Sequence, residues 1–266
     1  MTAPLFLLDP DRDDSPLASD ELHTGWRLTL PEHIRRHALG SMRLQNGDQL
    51  DLSDGNGLRI SALVRDASTG LVEVITVGRQ ALPEKGLVLV QALAKGGRDE
   101  QAIDMATQIG VDQVMPWQAA RSIAKWRTGR NDRHWQATLD AATEQSRRAY
   151  RPRLLGKVDS HGLAAWCRMA TNQGNLVLVL HQDADLGWDA VRKRVGELPD
   201  GSSVAVVVGP EGGIADQEVQ AMMRQGALPV RLGGNILRAA LAGPVALTLL
   251  ADMMGRWHSE APEPSA

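Results

Sequence analysis

Cysteine is all but missing, with Cys167 alone among 266 residues. One thiol excludes a disulfide framework and any metal site built on clustered thiolates. Such usage fits a cytoplasmic protein. No run approaches the apolar length that spans a bilayer, so no membrane partner is expected. The opening segment, MTAPLFLLDPDRDDSP, is acidic where a signal peptide is basic. The common chemical signatures are absent too. No G-x-G-x-x-G opens a helix and no G-x-x-x-x-G-K-[ST] occurs, which removes the usual dinucleotide and triphosphate loops. H-E-x-x-H, paired C-x-x-C and G-x-S-x-G are also lacking. Asp183 and Asp185 follow a strand end, but two isolated acids are a weak ligand set; we read them as solvated loop residues and expect no metal.

Charge of one sign is scarce over part of the chain. Residues 1–80 carry eight Lys/Arg against twelve Asp/Glu, whereas residues 121–157 carry ten Lys/Arg against three acids. A local positive excess in an otherwise acidic protein reads either as a solvated helix face or as a phosphate-binding surface. The preponderance of arginine, whose guanidinium fork suits phosphate, inclines the reading to nucleic acid.

Short strands punctuated by turns fill residues 1–80: Trp26 to Leu30, Gln49 to Leu52, Leu58 to Val64 and Val72 to Val77. Asn46-Gly47-Asp48 and Asp54-Gly55-Asn56-Gly57 supply the turns. One helix is expected from Pro31 to Met42, with Pro31 in its first turn. This is a small β-barrel pattern, followed by a linker at Pro83-Glu84-Lys85-Gly86. The rhythm then becomes strands alternating with helices. Apolar runs lie at Leu87 to Leu93, Val114 to Trp117, Leu176 to Leu180, Val204 to Val208 and Leu228 to Leu232. Between them, Trp135, Leu139, Ala142, Ser146 and Ala149 form an amphipathic stripe. A helix near 216–225 has Asp216 as its expected cap. The last helix, Ala239 to Met254, is almost wholly apolar at first, and Pro244 should kink it or mark its first turn. SEAPEPSA, 258–266 in our division, reads as a disordered tail.

Two of the strands end abruptly in glycine, in VAVVVGPEGG at 204–213 and LPVRLGGNILR at 228–238. Continuous β-branched runs suit strands buried on both faces of a parallel sheet. Loops leaving such strands are where open α/β folds bind ligands. Two of them imply a site built mainly from backbone groups around a closely approached ligand. Each glycine also has a plainer reading as a turn residue with positive φ, and both roles can hold together. His181, at the end of another strand, reads equally as a ligand-orienting or a structural histidine.

The GPEGGIADQEV and LGGNILR segments, preceded by ALAKGGRDEQAIDMATQIGVDQVMPWQAARSIAKW, resemble the RsmE family of 16S ribosomal RNA methyltransferases in the SPOUT superfamily. Ala141 to Arg148 resembles the family's A-x-E-Q-S-x-R segment, and Arg121-Ser122 its E-R-S turn. His37-Ala38-Leu39, Met42-Arg43 and the turns that follow look like its N-terminal domain. The resemblance implies an α/β protein: a PUA-like small β-barrel for RNA binding over 1–80, then a SPOUT methyltransferase domain over 84–257 with a parallel sheet and a trefoil knot. It implies S-adenosyl-L-methionine as cofactor and N3 of a uridine near the decoding region as acceptor. It implies a homodimer whose partner is 16S ribosomal RNA or the small ribosomal subunit. Leu180, His181, Val208, Gly209, Pro210, Glu211, Gly212, Gly213, Leu232, Gly233, Asn235, Ile236 and Leu237 become the cofactor-binding set. Arg43, Lys95, Arg98, Arg121, Arg147, Arg148 and Arg151 become the RNA-binding set.

Methyl transfer from a sulfonium needs an aligned, deprotonated acceptor rather than a metal, so the site must stabilise an anionic uracil or take its proton. Arg238 is the catalytic candidate for that stabilisation or for gripping the target phosphate, and otherwise pins a helix start. Glu211 is the second catalytic candidate; capping a turn, holding a cofactor amine and acting as base are all open to it. The chain departs from the family's L-G-x-R-I-L-R-x-E-T-A, with Asn235 for an arginine and Ala240-Leu241 for Glu-Thr, which leaves Arg238 as the motif's only cation. Gln108-Ile109 stands for the E-L of the family's T-E-L-G, and Ala215 for the serine expected before Asp216. Backbone contacts can survive these changes, whereas side-chain chemistry need not. A non-catalytic RNA-binding or ribosome-assembly protein keeping the SPOUT fold is the competing expectation.

Overall fold

The computed structural model of the protein describes residues 3–8 and 22–257, so the expected tail lies outside the described residues. The chain divides into two compact units. One holds the described residues up to Leu82 together with Asp140–Arg151, and the other holds Pro83–Leu139 and the chain from Pro152 on.

In the first unit β1 (Leu5–Leu7), β2 (Arg27–Thr29), β3 (Gln49–Ser53), β4 (Leu58–Asp66) and β5 (Leu71–Arg79) form a sheet of order β1-β3-β4-β5-β2. β1 runs parallel to β3 and the other pairs are antiparallel. Leu58, Ile60, Ala62 and Val64 alternate inward along β4, the period that buries one face. Register shifts at Ser61/Ala62 and Val64/Asp66 bend the β4–β5 ribbon. The small barrel expected from the strand pattern thus takes the form of a curled five-stranded sheet. The expected helix begins as α1 (Glu32–Arg35) and widens into a π-helix over Arg36–Ser41. Pro31 is its cap rather than a first-turn residue, and the Met42 amide donates to His37 O, five residues back. The Asp54-to-Gly57 turn receives the segment at 149–151. Ser53 Oγ and Gly57 N both donate to Ala149 O, and Tyr150 Oη donates to Gln80 O. A Cβ on Gly57 would overlap the Tyr150 hydroxyl at 2.4 Å, so glycine there permits the close approach.

In the second unit β6 (Gly86–Ala92), β7 (Gln113–Gln118), β8 (Arg153–Leu154), β9 (Val158–Asp159), β10 (Leu176–Leu180), β11 (Ser203–Val208) and β12 (Leu228–Val230) form one sheet. Its order is β12-β10-β11-β6-β7-β8, with β9 also pairing β7, and every pair is parallel. The continuous apolar runs follow from burial on both faces. Leu87, Leu89, Leu178, Val204 and Val206 join one core, while Val88, Val90, Val177, Val179, Ala205 and Val207 join the other. β12 stops at Val230, two residues before the expected end, where Arg231 N turns to Leu186 O.

Helices cover the sheet: α2 (Arg98–Ile109), α3 (Arg130–Ser146), α4 (Ser160–Asn172), α5 (Trp188–Gly196), α6 (Asp216–Met223) and α7 (Ala239–Met253). Trp135, Leu139 and Ala142 of the α3 stripe are buried as the periodicity predicts, while Ala149 lies past the helix end. The cap of α6 is Ala215, not Asp216, which falls inside the first turn. With no side chain there to accept, Glu218 Oε2 reaches back to Ala215 N at 3.0 Å. From the edge strand β12 the chain returns to the sheet centre, where α7 packs on β6 and β11. Packing there is close: a Cβ on Gly243 would lie 2.9 Å from Leu89 Cδ1 and 3.2 Å from Val208 Cγ2. Pro244 sits within α7 rather than in its first turn, so the Ala240 carbonyl loses an intrahelical donor.

Candidate functional site

Three neighbouring parallel strands, β10, β11 and β12, end on the same side of the sheet, and their loops enclose a cleft of about 790 Å³. That is the size of pocket that takes one small organic ligand. The β11 loop supplies Val208 to Ile214, the β12 loop Val230 to Ala239, and the end of β10 supplies Leu180 to Asp183. Arg98 at the start of α2, Arg121 after β7, Asp216 and Ala242 complete the wall. All thirteen residues of the expected cofactor set line this cleft, as does Arg238.

The glycines of the β11 loop differ in what they are for. A Cβ on Gly209 would stand 2.5 Å from Ile214 Cγ1, so only glycine lets the chain fold back there. Gly213 needs its φ of +73° to close the turn in which its amide donates to Pro210 O. Gly212 has neither constraint: a Cβ there meets Arg121 Cβ at 3.4 Å, an ordinary contact. In the β12 loop, a Cβ on Gly233 or Gly234 would meet nothing within 4 Å.

Two arginines of the wall are committed to the β11 loop. Arg98 Nη1 donates to Glu211 Oε1 at 2.9 Å, beside the Lys95 amide at the same distance. Arg121 Nη1 donates to Gly212 O at 3.1 Å. Burial alone would push the Glu211 carboxyl up. Hydrogen bonds from its own amide, from Arg98 and from the Lys95 amide, with the Arg98 charge, outweigh it and hold the carboxyl below its ordinary value. A carboxylate stabilised in this way is a weak proton acceptor, which counts against the base role among the three open to Glu211, while its hydrogen bonds tie the loop to Lys95 and Arg98. His181 Nδ1 accepts from Asp183 N at 3.3 Å and its own amide donates to Val230 O, so the ring closes a turn while lining the cleft.

The family of RNA methyltransferase domains matches residues 82–251. A ribosomal RNA small subunit methyltransferase E from Mycobacterium tuberculosis is 35% identical over 268 residues, covering 98% of this chain and 96% of the relative. The chain belongs to the ribosomal RNA small subunit methyltransferase E family. Another member, from Bacillus subtilis, is 29% identical and covers 80% of this chain and 85% of its own. Among solved structures, the Neisseria gonorrhoeae member bound to S-adenosyl methionine superposes with a TM-score of 0.76 at 24% identity, covering 95% of this chain and 98% of that one. The fold is the SPOUT fold with an N-terminal β unit.

Of the expected RNA-binding set, Arg98 and Arg121 line the cleft, and Lys95 touches it through its amide. Arg43, Arg147, Arg148 and Arg151 belong to the first unit. Arg43 and Arg147 hold positive φ values of 58° and 57°, uncommon for arginine. Arg151 Nη1 lies 3.4 Å from Asp140 Oδ1. Sequence reasoning misses Gln182, Ile214, Val230, Arg231, Gly234, Ala239 and Ala242 as lining residues, and places Asp183 and Asp216 in other roles. Most lie inside the two glycine loops, so extending the expected site over both whole loops would find them. Sequence reasoning reads Glu218 only as an acid in the first turn of the helix near 216–225. This buried carboxylate accepts from Ala120 N at 2.8 Å and from Ser160 Oγ as well as Ala215 N, tying three chain segments behind the cleft. No local sequence signal marks partners so far apart.

Proposed function

We propose that the chain methylates 16S ribosomal RNA from S-adenosyl-L-methionine, at N3 of a uridine near the decoding region. The observation that carries this is the cleft at the ends of β10, β11 and β12, bounded by two glycine loops, in a chain of this family. The cleft's chemistry fits the cofactor. Leu180, Val208, Leu232 and Leu237 offer an apolar slot for adenine, the loop backbones offer donors and acceptors, and the open faces of Gly233 and Gly234 leave room for a ligand. When bound, the cofactor supplies a methyl group on a sulfonium. Arg238, exposed at the cap of α7, stabilises the uracil anion that remains once N3 has given its proton to solvent and that accepts the methyl group, and the Arg98–Glu211 pair fixes the loop. Arg43, Arg147, Arg148 and Arg151 hold RNA on the β-rich unit at 1–80 and its added segment, Arg121 and Lys95 beside the cleft. A homodimer in the cytoplasm completes the reading; no helix among the described residues is long and apolar enough to cross a membrane.

Calorimetry with S-adenosyl-L-methionine tests the cofactor, and nucleoside digests of 16S RNA from cells with and without the gene test the product. Binding together with loss of 3-methyluridine from the deleted strain is expected. Failure of the purified protein to bind the cofactor or methylate the RNA would leave a non-catalytic RNA-binding protein.

A further inference from the structure

Among the described residues four arginines line the cleft, and they are not alike. Arg98 and Arg121 each give a guanidinium donor to the β11 loop. Arg231 and Arg238 are exposed, and neither side chain has a hydrogen bond or ion pair among the described residues. They stand at the two ends of the β12 loop, with Leu232 and Leu237 half-buried between them. Arg231 is also fixed in the backbone, its amide donating to Leu186 O at 2.9 Å, so its side chain leaves from an anchored point. Arg238 remains the only cation of the motif itself, and Arg231, one residue before the motif begins, adds a second cation to the same loop.

We infer that Arg231 is a substrate-binding residue that grips a phosphate of the RNA backbone at the rim of the cleft. This rests on the proposed reaction. A guanidinium without a protein partner keeps its full donor fork for an anion, and phosphate matches that fork in geometry and charge. Two anions are available, the RNA phosphate and the carboxylate of the cofactor. Exposure favours the phosphate, because a cation at the open rim tracks a polyanion passing outside, while a small ligand sits within. Asn235, on the same loop, offers no charge to do this.

The test compares wild type, Arg231→Ala and Arg231→Lys by filter binding of a 16S fragment across salt concentrations, with calorimetry of S-adenosyl-L-methionine alongside. Arg231→Ala should flatten the log–log salt slope by about 0.7–0.9, the share of one neutralised phosphate. It should raise KM for RNA about tenfold with kcat and cofactor affinity unchanged, while Arg231→Lys restores the slope but only part of the affinity. An unchanged slope and KM overturn the inference. So does a fall in cofactor affinity at unchanged slope, which would assign Arg231 to the cofactor carboxylate. Filter binding needs no turnover, so the slope answers for Arg231 even if the wild type transfers no methyl group and the reaction itself is refuted.

Discussion

Replacing Gly209 by alanine adds one methyl group where the structure has no room for it. The new Cβ would lie 2.5 Å from Ile214 Cγ1, 3.3 Å from Ile214 N and 3.4 Å from Ile214 Cδ1. Ile214 is 4% exposed and packs in the core beneath the sheet, so it cannot swing into solvent. Nor is the backbone of Gly209 at positive φ, so the effect is steric alone. Relief must come from moving the turn that carries Glu211 to Gly213. Overpacking of this kind costs about 1–3 kcal/mol. If about 1.4 kcal/mol of it is taken up by displacing the cleft wall, cofactor affinity falls about tenfold. The assay is calorimetry with S-adenosyl-L-methionine beside chemical denaturation of the free protein. Gly187→Ala is the control; a Cβ there meets nothing within 4 Å and the residue does not line the cleft, so affinity should stay within about twofold of wild type. A Gly209→Ala protein with wild-type affinity and stability would refute the reasoning, because the fold-back onto Ile214 would then not shape the cleft.

Arg238→Ala should leave cofactor affinity intact and lower turnover by about a hundredfold, roughly 2.7 kcal/mol of transition-state stabilisation; a parallel loss of thermal stability would instead mark a helix-start role. Removing charge from Arg147 and Arg148 together should flatten the salt dependence of RNA binding by roughly 0.7 for each phosphate of a single strand that is no longer neutralised, and an unchanged slope would make both structural. Glu218→Gln keeps one oxygen for three donors, so unfolding measurements should show a loss on the order of 1–3 kcal/mol; a neutral result would mean the three segments hold without it. The Glu211 carboxyl lies below its ordinary 4.5, so its contribution is complete above that pH and is lost as pH falls through the lower folded value. Cofactor affinity should therefore show no Glu211 titration near neutrality and should weaken only in acid, an acid limb that Glu211→Gln removes.

The second unit is the more legible in sequence, and the reason is physical. A strand buried on both faces must be apolar at every position, so the apolar runs bound β10 correctly from Leu176 to Leu180 and leave out only Ser203 of β11. The glycine loops are legible for a related reason, since glycine interrupts an apolar run near where the chain leaves the sheet. The π-helix at Arg36–Ser41 is not, because its apolar spacing over Ile34 and Ala38 is that of an ordinary helix. The place of Asp140–Arg151 in the first unit is hidden as well. It depends on Ala149 O meeting Ser53 and Gly57, and on Glu144 Oε1 accepting from Leu7 N, pairings that no spacing announces. Arg231 escapes notice because it precedes the glycines and reads as part of the strand.

The pairing of β6 with β11, from Gly86 against Ser203 to Gln91 against Val208, has a consequence for how the protein is made. At about 5–20 residues per second, the ribosome needs roughly ten seconds to synthesise the stretch between these two central strands. Throughout that interval β6 can pair with β7 on one side while its other edge waits open, the kind of unpaired edge that recruits foreign strands. β12 and α7 emerge later still, so the cleft is among the last features to be assembled. A chain released early, before Ala239, would lack the helix that covers β6 and β11, and would leave the translation machinery as an aggregation hazard rather than as a weakened enzyme.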